Sequence, residues 1–151
     1  MPPFGSIVKI PATDRLGVVS GKLEINNCIT TIIYPISTCV YLSSNQDFIC
    51  TSTVLFDLLM VEVWNPILIM SKQDLQIVDT ISKESLEIYE KFLYSVLLSV
   101  SFDERKLFTG PPITATSDIR HFFRMQERKP FEFLLRPFKH LLVTLLTPTT
   151  L

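Results

Sequence analysis

Short apolar runs separated by turn residues fill the first 66 positions of the chain, and a helical spacing takes over after them. Ile7 to Ile10 is a β-type run between Gly5 and Pro11. Leu16 to Val19 is another, Ser20-Gly21 reads as a tight turn, and Lys22 to Ile25 returns. Asn26-Asn27 signals a second turn, because Asn tolerates the left-handed region. Cys28 to Ile36 follows, and Pro35, which has no amide proton, predicts an edge or an end for it. Cys39 to Leu42 predicts a further strand, residues 43–47 a polar turn, and Phe48 to Leu55 one more strand. Met60 to Trp64 alternates apolar and polar residues and stops before Asn65-Pro66. Runs of this length and spacing predict a compact antiparallel sheet, or small barrel, of about five strands.

Leu75 to Ile81 fits a short helix or one more strand equally well. Ser82 caps a clearer helix from Lys83 to about Val100. Leu86, Tyr89, Leu93, Val96, Leu97 and Val100 share one side of it, and Glu87, Glu90, Lys91 and Ser95 the other. Gly110-Pro111-Pro112 marks a loop. Ser117-Asp118 predicts the start of a second helix reaching about Arg128. Pro130 suits the first position of a third, whose stripe is Phe131, Leu134, Leu135, Phe138, Leu141, Leu142 and Leu145, with Pro137 as a kink. The fold class expected is α+β in a single domain over 1–151. A β-rich sheet or SH3-like barrel over 5–66 is followed by about three helices over 71–146, packed on it.

Composition changes this picture in two places. Charged residues are 19 % of the 151, against roughly 25 % for an average soluble domain, and mean hydropathy is +0.33. Either the domain packs efficiently or a partner covers part of its apolar surface. The net charge of −1 also hides an asymmetry. Residues 1–102 carry 6 Lys/Arg against 10 Asp/Glu, a balance of −4, and residues 103–151 carry 8 against 5, a balance of +3. Cys28, Cys39 and Cys50 are odd in number and lie 11 apart in β-type surroundings. That spacing suits neighbouring strands and not a metal site, and points to reduced thiols in the cytoplasm. No secretory leader and no apolar run long enough to span a bilayer is visible.

Gly5-Ser6-Ile7-Val8-Lys9-Ile10, followed by Arg15-Leu16-Gly17-Val18-Val19, resembles the opening of an SH3-like small barrel of the KOW or Tudor type. There a Gly-x-x-Val strand leads through a loop to a Gly-x-Val strand. The resemblance covers residues 5–64 and implies a module that binds peptides, proteins or nucleic acid. Lys9, Arg15 and Lys22 are the few basic residues across it.

Arg120, Arg124 and Arg128 recur every four residues on the second predicted helix, along one face. Like charges at that spacing cost about 0.2–0.5 kcal/mol per pair in an isolated helix, so something must offset them. Nearby carboxylates such as Asp103, Glu104 or Glu132 are one candidate. An anionic ligand such as nucleic acid is the other, with Lys129, Arg105 and Lys106 extending the patch. Trp64, Phe131 and Phe138 are candidates for contact with a protein partner or a second copy. Asp118 and His121 are half of a metal site at most, no phosphate-binding glycine loop or nucleophile elbow is present, and no catalytic residue, metal or cofactor is assigned. The expectation is a non-enzymatic protein-interaction module, an accessory or structural subunit of a larger assembly. A nucleic-acid-binding protein using the arginine face and an enzyme with an unrecognised site stand as alternatives.

Overall fold

The computed structural model describes residues 2–25, 27–44, 47–53, 58–70, 75–99 and 119–131. The described residues are α+β, an antiparallel sheet of seven strands with two α-helices. The strands are β1 (Ser6–Lys9), β2 (Leu16–Ile25), β3 (Cys28–Ser37), β4 (Asp47–Thr51), β5 (Leu58–Glu62), β6 (Ile67–Met70) and β7 (Ile77–Thr80). The helices are α1 (Lys83–Ser99) and α2 (Ile119–Arg128). The hydrogen-bonded path runs β4-β5-β3-β2-β1-β7, and β6 pairs with β3 alongside β5. Thr53 N donates to Thr80 O at 3.1 Å and Ser82 N to Thr51 O at 3.1 Å, so the two ends of that path meet.

Four expectations are corrected. Ser20-Gly21 is not a turn: β2 runs straight through it with a bulge between Val19 and Gly21. The bulge aims the Ser20 hydroxyl at Tyr89 of α1, 2.6 Å from its phenol oxygen. Val40–Leu42 is a 3₁₀ turn and not a strand. The sheet does not end at Pro66 but continues through β6 and β7, which makes residues 77–80 strand. The described residues hold two α-helices where about three were expected. After α2 comes a 3₁₀ turn, Lys129–Phe131, and the rest of the stretch expected to form the third helix lies outside the described residues.

Pro35 sits inside β3, the most paired strand, and not at an edge. On one side β3 pairs with β6 through Ile33 and with β5 from Ile36 onward. Pro35 occupies the interval between those partners, where a missing N–H removes no ladder bond on that side. The chain reverses between β2 and β3 as expected: Ile25 pairs with Cys28 and Asn27 has φ +63°.

Both faces of the sheet are buried, which accounts for the low charge content. Alternate residues go to opposite sides. Ile7, Val18, Tyr34, Phe48 and Val61 pack beneath Tyr89 and Leu93 of α1. Val8, Val19, Ile33, Ile67 and Ile69 pack with Phe131. Gly17 lets β2 and β3 approach, since a Cβ there would lie 2.4 Å from Ile33 Cγ2.

Candidate functional site

Polar side chains from four parts of the chain converge where α2 meets the end of the sheet. The β1–β2 loop supplies Arg15. Ala12 holds φ +61° in that loop, a strained conformation for a residue with a Cβ. Thr13 braces it: its Oγ1 donates to Ile10 O at 2.8 Å and accepts from Arg15 N at 3.1 Å. Arg15 is thereby fixed in place. Its Nη1 lies 2.5 Å from Glu127 Oε2 of α2, and its Nη2 donates to Ile36 O at 3.0 Å. Its guanidinium lies over the Phe131 ring, 5.7 Å from the centroid.

Asp47 opens β4 and accepts three hydrogen bonds: Trp64 Nε1 at 2.9 Å on one oxygen, and Ser44 N at 2.8 Å and Ser44 Oγ at 2.9 Å on the other. Ser44 Oγ in turn accepts from Arg124 Nη2 at 2.6 Å. The Arg124 guanidinium lies over the Trp64 ring at 4.8 Å, within cation–π range. Helix, serine, carboxylate and indole thus form one closed relay.

Glu62 faces Asp47 across the β4–β5 ladder and is fully buried. Its Oε1 is 3.9 Å from Arg15 Nη2, and neither of its oxygens has a hydrogen-bond partner among the described residues. Burial pushes its carboxyl from an ordinary 4.5 up to about 9, and the charges of Glu127 and Asp47 add to the rise. Arg15 and the Asn65 amide, which lies outside hydrogen-bond geometry, pull the other way less strongly. At neutral pH Glu62 is therefore protonated. An open groove of about 390 Å³ passes over Arg15 and Glu127, lined also by Asp14, Ser37 and Cys39, and brings solvent to the edge of the cluster.

Arg124, the centre of the arginine row, is turned toward this cluster. It is 9 % exposed, while Ile119, Phe122 and Met125 on the opposite side of α2 are 66 %, 56 % and 58 % exposed. Among its described side chains the helix has reversed polarity, with Arg124 in and Ile119, Phe122 and Met125 out. Of the other anion-site candidates, Arg128 is half-buried and Lys129 exposed; Arg120 lies on α2, and Arg105 and Lys106 lie outside the described residues. Of the candidates for partner contact, Trp64 and Phe131 are buried within the chain's own fold and Phe138 lies outside the described residues. His121 lies on α2, and Asp118 outside the described residues. Cys28, Cys39 and Cys50 are free thiols, and burial pushes the Cys50 thiol up to about 11.

The sequence reading missed Ser44, Asp47, Glu62, Asn65 and Glu127 as a group. One signal was present: Glu62 is a single acid inside the apolar run Met60-Val61-Glu62-Val63-Trp64. Among the described residues no three His, Cys, Asp or Glu side chains converge as a metal site requires. No helix among them is long and apolar enough to cross a membrane. Comparison with family models, with curated proteins and with solved structures gives no match.

Proposed function

We propose that the protein is a non-enzymatic protein-interaction module, an accessory or structural subunit of a larger assembly, and that the outer face of α2 is its contact surface. The observation that carries this is the reversed polarity of α2. A helix on a domain surface ordinarily turns its apolar side to the core. Here Ile119 and Met125, with Phe122 half-exposed between them, face outward while Arg124 is buried. Exposed apolar side chains grouped on one helix face are a mark of an interaction site. The reading of the sheet as an SH3-like barrel, a fold that serves as a binding module, is supported by the bonds that join β4 to β7. The nucleic-acid alternative is weaker, because Arg124 would have to leave Ser44 and Trp64 to meet a phosphate.

The test is Met125→Glu. Neither Ile119 nor Met125 is part of the core, so the variant folds as the parent does. In sedimentation equilibrium the parent self-associates with rising concentration through this face, and Met125→Glu stays monomeric. Identical sedimentation and identical protein binding by the two would remove the basis of the proposal.

A further inference from the structure

We propose that Glu62 is a proton-operated latch for α2. While its carboxyl carries a proton, Arg15 belongs to Glu127 and the helix is seated; when the proton leaves, Arg15 is shared between two carboxylates and the helix lifts from Trp64. The inference does not depend on what binds the outer face of α2.

The geometry carries it. One guanidinium stands between two carboxyls, 2.5 Å from Glu127 on the helix and 3.9 Å from Glu62 in the sheet. The groups that face Glu62 are Arg15 from the β1–β2 loop, Glu127 from α2, Asp47 opposite it on β4, and Asn65 from the turn after β5. Arg124, one turn before Glu127, is engaged by Ser44 and the Trp64 ring. With Glu62 neutral, the two cations Arg15 and Arg124 balance the two anions Glu127 and Asp47. With Glu62 ionised the cluster holds three anions and two cations in a buried setting, and a buried charge without a partner is strongly unfavourable. The movable anion is Glu127, because it rides on α2. Lifting α2 separates the like charges, opens Glu62 to water and leaves Arg15 to it. Solvent in the groove over Arg15 and Glu127 gives the proton a way out.

The sign follows from linkage. Seating holds the Glu62 carboxyl up near 9, and lifting returns it toward 4.5. Between those values the seated form binds more protons than the lifted form. The seating constant therefore falls by up to tenfold per pH unit as pH rises through that window, and levels off above it. Within that window seating is firmest at the acid end and weakest at the alkaline end.

Trp64 is the chain's single tryptophan and lies under Arg124, so its accessibility reports whether α2 is seated. Acrylamide quenching of its emission is measured from acid to alkaline pH on the full chain, with far-UV circular dichroism alongside. The parent shows a several-fold rise in the quenching constant toward alkaline pH with its strand signal unchanged. Glu62→Gln, which keeps the shape and cannot ionise, shows low quenching throughout. Glu127→Gln, which removes the carboxylate that rides on the helix, shows higher quenching in acid and a flatter profile. A flat profile in the parent overturns the proposal. So does the same rise in Glu62→Gln, or a rise that coincides with loss of the strand signal.

Discussion

Removing the Arg124 guanidinium while keeping most of its stem, as Arg124→Met does, separates an internal clamp from an anion-binding face. In the structure the guanidinium makes a hydrogen bond of 2.6 Å to Ser44 and lies 4.8 Å from the Trp64 ring centroid, at 9 % exposure. A hydrogen bond from a charged group contributes about 1.5–3 kcal/mol and a desolvated cation–π contact up to about 2. The two share one group and do not add in full, so the expected loss is about 2–4 kcal/mol. Methionine replaces part of the packing and removes the cost of burying a charge, which places the result toward the lower end.

The assay is urea titration read at Trp64, with a double-mutant cycle against Ser44→Ala. Truncating Ser44 alone also removes its hydroxyl bond to Asp47, one of the three that Asp47 accepts, so the single variants are hard to interpret; their coupling isolates the Arg124–Ser44 bond, at about 1–2 kcal/mol. Lys91→Ala serves as the control, because among the described residues Lys91 pairs only with Glu87 on the exposed side of α1. Arg124→Met with a midpoint no lower than the control, and no coupling to Ser44, would refute the clamp. Salt-sensitive binding to a polyanion that Arg124→Met abolishes without loss of stability would restore the arginine face as a nucleic-acid site.

Two further predictions concern the sheet that carries the site. Gly17→Ala is expected to lose about 1–3 kcal/mol, because its Cβ meets Ile33 Cγ2 at 2.4 Å and Tyr34 O at 3.0 Å. Gly21→Ala in the same strand meets only Ile32 Cδ1 at 3.5 Å and is expected to gain roughly 0.5–1 kcal/mol; thermal denaturation of the pair checks the contrast. Tyr89→Phe removes the bond to Ser20 and is expected to cost about 1 kcal/mol by the same assay, loosening α1 on the bulge.

The legible parts of the fold were those whose signal is local. Ser82 and the three-four spacing after it placed α1, and Asn26-Asn27 placed the β2–β3 turn. Ser20-Gly21 misled because a glycine beside a polar residue marks a bulge as readily as a turn. Only Tyr89, 69 residues away, decides between them. Ile67 to Met70 is buried on both faces except at its last residue, so it has no alternation to mark it as strand. For the site, helical spacing established that the three arginines share a face. It could not establish which way that face points, because Ser44, Asp47 and Trp64, which draw Arg124 inward, lie 60 to 80 positions away.

The low charge content and the reversed helix bear on each other. Burying both faces of the sheet uses much of the apolar composition, and so explains the shortage of charge without any partner. The α2 cluster then works against that explanation. Glu62, Asp47 and Arg124 are buried, and Arg15 and Glu127 largely so, which removes four charges and one neutral carboxyl from a surface that already has few. In exchange α2 turns Ile119, Phe122 and Met125 toward water. Had apolar packing alone set the orientation, half a turn of the helix would have buried those three and solvated Arg124. The helix is held the other way by specific bonds to Ser44, Trp64 and Arg15, at the expense of exposed apolar area. Such an arrangement is intelligible where the exposed side is covered in the working assembly. Covering Ile119 and Met125 should then stabilise the seated form of α2, and a bound partner should lower the quenching of Trp64 without touching it.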